Sequence, residues 1–124
     1  MDPDLSPKPL VWIGSSREDL REFPEQVRAL MGHALFMAQC GLKHERAKPL
    51  KGFGGAGVLE IVEDSSGGTY RAVYTVRLAG RVYALHAFQK KSKRGIATPK
   101  AEVELIRARL KRAEQVHAEW VKSA

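Results

Sequence analysis

Residues 82–95 read VYALHAFQKKSKRG, in which a histidine, an aromatic ring and then four cations in five residues end a run of strand-forming side chains. An imidazole with an ordinary pKa near 6.5 can give or take a proton at neutral pH. Ammonium groups neutralise phosphates, and an aromatic ring gives an unstacked base a surface to lie on. His86, Phe88, Lys90 and Lys91 are therefore a set that could hold a polyanion and move protons beside it. Lys93 lies in the same cationic run. Mutual repulsion among these cations should cost stability in the free chain and be relieved by a bound polyanion.

The charge of the chain as a whole points the same way. Residues 86–124 carry ten Lys and Arg against four Asp and Glu, and residues 41–51 carry four against one, whereas residues 1–40 are acidic by six to four. Local basicity of this kind favours a phosphate-rich partner through counterion release, although an acidic protein surface would satisfy the same field. At 124 residues the chain is expected to form one domain, with residues 1–9 as a flexible extension. No apolar run approaches the roughly 20 residues of a membrane span, and MDPDLSPKPLVWIG lacks the cationic start of a secretory signal. A cytoplasmic protein is expected. The lone Cys40 excludes an internal disulfide framework and is expected to be a buried thiol. His33, His44 and His117 have no ligand spacing, so neither metal nor cofactor is expected.

The elements that must position these groups follow from periodicity. LVWIG at 10–14 reads as a first strand, and Ser16 with Asp19 opens a short helix to Glu22. Pro24 starts a second helix as its N1 residue, with Val27, Leu30, Met31, Ala34, Leu35 and Ala38 on one face and Gly41 at its end. GLKHERAKPLKGFGGAG at 41–57 reads as a basic, glycine-rich loop that lacks the G-K-[ST] of a phosphate-binding Walker loop. VLEIVED (58–64), YRAVYTVRL (70–78) and RVYALHAFQ (81–89) read as an antiparallel meander joined by SSGG and AG turns. Thr98 and Pro99 cap a last helix to about residue 118, with Val103, Ile106, Leu110 and Ala113 on one side. The expected order is β-α-α-β-β-β-α, an α+β fold whose small, mostly antiparallel curved sheet is covered on one face by helices. Trp12 and Trp120 read as packing anchors near the two ends.

Strand alternation sorts the faces. Tyr70, Ala72, Tyr74, Val76 and Leu78 share the side better suited to the core, and Arg71, Val73, Thr75 and Arg77 share the other. Tyr83, Leu85, Ala87 and Gln89 oppose Val82, Ala84, His86, Phe88 and Lys90, while Leu59, Ile61 and Glu63 oppose Val58, Glu60, Val62 and Asp64. Arg71, His86, Phe88, Lys90 and Glu60 are thus expected to converge on one open concave surface, provided that no bulge shifts the parity.

KPLKGFGGAGVLEIVED and YRAVYTVRLAGRVYALHAFQKKSKRGIATPKAEVELIRARLK contain a Y-R-x-x-Y strand, an L-H-x-F-x-K-K strand end and a T-P helix start. In this they resemble the phage-derived HigB-like branch of the RelE/ParE toxin superfamily. SSREDLREFPEQVRALMGHAL is similar to that branch's N-terminal helical pair, so the resemblance runs from Leu10 onward. It implies a RelE-like fold and a type II toxin that cleaves messenger RNA, generally on the ribosome, neutralised by a HigA-like antitoxin of helix-turn-helix type. RNA is cut without metal when its 2′-hydroxyl attacks the adjacent phosphate, which takes a base, cations for the added charge and an acid for the departing 5′-oxygen.

Under that resemblance Arg71 matches the Y-R arginine and is the expected phosphate clamp, its planar fork suited to two oxygens. His86 is either the acid or base or a histidine that orients the neighbouring strand. Lys90 and Lys91 match the K-K pair; alternation lets at most one reach the scissile phosphate, and the other binds flanking backbone with Lys93. Lys48 and Lys51, bordering the glycine-rich loop, are a second cationic edge or plainly solvated side chains. Phe88 is a base platform or ordinary packing, Glu60 a base or the ion-pair partner of Arg71, and Thr98 with Pro99 a helix cap. The competing readings are a ParE-like inhibitor of DNA gyrase and a relative that binds RNA or antitoxin without cutting.

Overall fold

The computed structural model describes residues 6–54, 57–65, 67–90 and 98–123. Strand β1 (Leu10–Trp12) is followed by helices α1 (Ser16–Arg21) and α2 (Glu25–Gln39). Strands β2 (Ala47–Pro49), β3 (Val58–Ser65), β4 (Gly68–Thr75) and β5 (Val82–Lys90) come next, and helix α3 (Lys100–Ser123) ends the chain. The sheet runs β1-β5-β4-β3-β2, with β1 parallel to β5 and the other neighbours antiparallel. β2 adds a strand to the expected order. It lies inside the stretch read as a loop, and three residues ending in a proline leave little periodicity to detect; proline suits such an edge strand because an outer N–H has no ladder to join.

Pro24 divides the first two helices as expected, standing one residue earlier, at the N-cap of α2. α2 closes on a Schellman motif: Gly41, at φ +80, donates to Ala38 O and Leu42 donates to Met37 O. The apolar stripe of this pair, including Val27, Met31, Leu35 and Ala38, packs on Leu59, Ile61, Tyr70, Ala72 and Tyr74. The expected core face of β3, and that of β4 as far as Tyr74, is thus the one that α1 and α2 cover; β4 ends at Thr75, so Val76 is exposed and Leu78 packs on the opposite side. Cys40, expected buried, is only half-buried at the helix end.

The opposite face is not open. α3 lies across it, with Ile106 and Ala113 fully buried against Ile13, Val58, Val73, Tyr83, Leu85 and Phe88. The expectation of one covered face is thereby corrected, and the cause lies in the stripes: α3 carries its own apolar row and needs a sheet face to bury it. The far end of α3 is fastened to the β4–β5 turn. The Arg81 guanidinium lies 4.0 Å from the Trp120 ring centre, and the Tyr83 hydroxyl is 2.9 Å from His117 Nδ1. Gly80, at φ +92, lies against the Trp120 ring, where a Cβ would crowd it at 3.2 Å.

One irregularity re-sorts β5. Tyr74 pairs with Ala84 but Val73 pairs with His86, so Leu85 is an extra residue and parity flips there. Val82 and Ala87 therefore face α1 and α2, whereas Tyr83, Leu85 and Phe88 face α3. Because the bulge precedes His86, it leaves His86 and Phe88 on the same side as Arg71 and Glu60.

Docking of α3 through Ile106 should be visible in stability. Ile106→Ala is expected to lower the unfolding free energy by about 2–5 kcal/mol in a denaturant titration. Leu105→Ala, at a side chain 36% exposed, should stay within about 0.5 kcal/mol; equal losses would mean that α3 does not dock by this stripe. On the other face, burial pushes the Tyr74 hydroxyl from 10.0 up to about 12, and that hydroxyl meets no hydrogen-bond partner among the described residues. The unfolded chain releases this proton near pH 10 while the folded chain keeps it, so stability should fall as pH rises from 10 towards 12. Tyr74→Phe should flatten that part of the alkaline stability curve, and an unchanged slope would contradict the assignment.

Candidate active site

Strand register brings the charged groups together. Glu60 on β3 pairs with Val73 on β4, which pairs with His86 on β5; Arg71, two residues before Val73, pairs with Phe88. Residues directly opposed or two apart on a strand share a face, so Glu60, Arg71, His86 and Phe88 all point towards α3. Arg71 is 4% exposed and Glu60 6%. Arg71 Nη1 donates to Glu60 Oε1 at 2.9 Å and to Thr98 Oγ1 at 3.2 Å, just before α3 begins. The expected open surface is corrected here: the arginine stands at the floor of a covered site.

A cavity of about 410 Å³ reaches that floor between β2 with the following loop and the start of α3. Its lining includes Lys48, Lys51, Glu60, Arg71, Thr98 and Val103. β2 places Lys48, since the ladder sets it opposite Glu60 and hence on the α3 face. Three cationic side chains, one carboxylate and one hydroxyl thus surround a space large enough for a phosphodiester. A guanidinium in such a poorly solvated place attracts an anion more strongly than it would in water. Glu60 compensates its charge while the site is empty, which favours the ion-pair reading of this carboxylate over that of a free base.

His86 stands apart from that cavity. Its Nε2 lies 2.7 Å from Glu102 Oε1 and its Nδ1 3.2 Å from Arg109 Nη1. Arginine can only donate, so Nδ1 accepts, and the neutral ring satisfies both partners when Nε2 carries the proton and donates it to Glu102. Arg109 also donates to the carbonyl of Leu85, the bulge residue, and to Ser15 Oγ, and Gly14 leaves room for its guanidinium. His86 is 6% exposed, stacks on Phe88 with ring centres 4.8 Å apart, and borders a separate hollow beside α1 with Asp19, Glu22 and Phe88. Both of its nitrogens are engaged by α3, and it does not line the cavity that Arg71 lines. Phe88 is likewise buried under α3.

Lys90 ends β5 opposite Thr69, one row beyond Arg71 and Phe88 on the same face. Lys91 and Lys93 lie outside the described residues. Three further groups matter that sequence reading did not assign to the site: Thr98, taken as a cap only, and Glu102 and Arg109. The last two stand seven residues apart on α3, two turns along one helix face, and that spacing was visible. What was missing was the knowledge that this face meets the sheet.

Among the described residues no group of three or more His, Cys, Asp or Glu could hold a metal ion, and no helix is long and apolar enough to cross a membrane. A family model described as "Phage derived protein Gp49-like (DUF891)" matches residues 18–111. No curated protein matches the chain significantly. Among solved structures the chain is similar to E. coli toxin RelE, an arginine-substituted mutant in the free state, with a TM-score of 0.54 and 19% identity over 86% of this chain and 98% of that one. It is also similar to the toxin–antitoxin complex RelBE2 from Mycobacterium tuberculosis, with a TM-score of 0.46 and 21% identity over 73% of this chain and 100% of that one. At 19% identity the first likeness establishes a shared fold, that of RelE.

The Arg71–Glu60 pair should behave as a unit. Glu60→Ala, which leaves the arginine buried without its carboxylate, should cost about 3–5 kcal/mol in urea, and Glu60→Leu combined with Arg71→Met should recover most of that. A double variant as unstable as the sum of the single ones would show that the two side chains do not depend on each other.

Proposed function

The chain belongs to the Gp49-like family of phage-derived proteins, and on that premise we propose that it is the toxin of a type II toxin–antitoxin pair, of the HigB-like kind, acting as a metal-independent mRNA interferase. The observation that carries the reading is Arg71 at the floor of a cavity rimmed by Lys48 and Lys51 on a RelE-like fold. A phosphodiester entering that cavity meets a guanidinium fork and two ammonium groups, the set needed to stabilise the added negative charge when the 2′-hydroxyl attacks. Arg71 clamps the scissile phosphate. Glu60 and Thr98 hold the guanidinium in place for it. Lys90, one row beyond Phe88 on the face that carries Arg71, is the candidate acid for the departing 5′-oxygen, with Lys91 and Lys93 on flanking backbone.

His86 acts in this reading as a positioning residue, through Glu102 and Arg109, instead of transferring protons itself. The substrate is messenger RNA engaged at the ribosome, the site of action is the cytoplasm, and the neutralising partner is a HigA-like helix-turn-helix antitoxin that masks the basic face.

Induction of the wild-type chain in cells should arrest growth and produce discrete new 5′-ends in messenger RNA by primer extension. Lys48→Ala and Lys51→Ala, both at exposed side chains, should each lower cleavage about tenfold or more while leaving the circular dichroism spectrum unchanged. Arg71→Ala and Lys90→Ala should abolish growth arrest, with a loss of cleavage of roughly 100-fold or more for Arg71. DNA damage with intact messenger RNA would identify a gyrase inhibitor instead, and neither effect would indicate a chain that binds without cutting.

A further inference from the structure

Beside α3, where it meets the loop after β2, a third hollow of about 460 Å³ is lined by Phe53, Arg107, Ala108, Leu110, Lys111 and Glu114. Arg107 is built into it. Its Cζ lies 4.6 Å from the Phe53 ring centre, and its Nη2 donates to Gly52 O at 2.9 Å. One face of the guanidinium is thereby fixed against a buried aromatic ring by a backbone bond, an unusual restraint for an exposed arginine. Gly52, at φ +91, lets the carbonyl turn towards it.

This hollow continues the anion cavity. Lys51 lines that cavity, Gly52 binds Arg107, and Phe53 lines this hollow, so three consecutive residues join them. On the helix side Val103 borders the anion cavity and Arg107 the hollow, four residues and about 6 Å apart along α3. That separation exceeds the ~3.4 Å rise between stacked bases, and so suits an extended strand with its bases apart. The lining offers the outer face of the guanidinium plane that Phe53 backs, apolar contact from Leu110, and an ammonium at Lys111. Glu114 at the far end has Arg77 Nη2 3.9 Å from its Oε2.

We infer that this hollow is a subsite for one nucleobase of a single-stranded polynucleotide whose neighbouring phosphate occupies the Arg71 cavity, the base lying on the Arg107–Phe53 stack. The inference rests on the phosphate-binding reading of the Arg71 site. Arginine planes and aromatic rings hold splayed bases because every base has a π face, and the surrounding Lys51, Arg107 and Lys111 complement the strand's charge. A carboxylate of an acidic peptide would pair with the guanidinium edge, where Nη2 is already bonded to Gly52 O, and would leave the fixed face unused.

The test measures binding of the full chain to uncleavable 2′-O-methyl hexanucleotides by fluorescence anisotropy, with an abasic residue moved through each position in turn. One position should weaken binding by roughly 10-fold or more, and in Arg107→Ala that penalty should vanish while the other positions keep theirs. Phe53→Leu, which preserves apolar volume, should reduce the same penalty. Equal penalties at all positions, or a position-specific penalty that survives Arg107→Ala, would overturn the subsite and leave the anion cavity standing. Loss of antitoxin binding in Arg107→Ala with oligonucleotide binding unchanged would assign the hollow to a protein partner and overturn it also. Failure of the wild-type chain to bind any of these strands would remove the anion site itself, and the subsite with it.

Discussion

A guanidinium buried to 4% exposure can remain charged only if something near it carries the compensation, and the arrangement around Arg71 follows from that constraint. Glu60 supplies the opposite charge from β3 and Thr98 a hydroxyl from the approach to α3. Removing ions from water costs more than one hydrogen bond returns, so strand register, the pairing of β3 with β4 and the seating of α3 all have to agree before the arginine is tolerable. A chain that kept such a group for stability alone would do as well with two apolar side chains. Its presence beside a cavity rimmed by lysines is better accounted for by what the cavity receives.

The helix that covers Arg71 also holds the ring of His86. Glu102 and Arg109 reach the two ring nitrogens from positions two helical turns apart, and Arg109 holds the bulge carbonyl of Leu85 as well. The bulge, the histidine and α3 are thus one assembly: the extra residue turns Leu85 into the core and presents a carbonyl that α3 takes up. Further along, Trp120 and His117 fix the same helix to the β4–β5 turn. The near end of α3 is seated by Val103 and Ile106 as well as by the polar contacts of Glu102 and Arg109, so the helix is held to the sheet along its length.

Much of this was legible in the sequence, and the misses have definite causes. Alternation alone put Glu60, Arg71, His86 and Phe88 on one face, and the apolar spacing of 27–38 found α2 and the strand face that it covers. The covering of the second face was missed because His86 and the cations drew attention from Val58 and Val73 on the same side, although the row of Val103, Ile106 and Leu110 required a face of its own. The bulge at Leu85 leaves no mark that period two can detect: LHAF alternates as well before it as after. β2 was missed because a three-residue strand has no period, and it is the strand that sets Lys48 beside Glu60.

The RelE fold by itself decides little about chemistry, since function resides in the groups a scaffold presents. What narrows the possibilities is where the cations concentrate. Lys48 comes from β2 and Lys51 from the loop after it, Arg107 and Lys111 from the adjoining flank of α3, and Arg71 lies paired with Glu60 on the sheet. Mutual repulsion opposes such convergence unless an anion occupies it for part of the protein's life. A compact anion would need only the Arg71 cavity, whereas a polymer of regularly spaced phosphates uses the whole track. The spread of these cations therefore suits an extended polyanion better than a small phosphate, with Arg71 the most deeply buried of them.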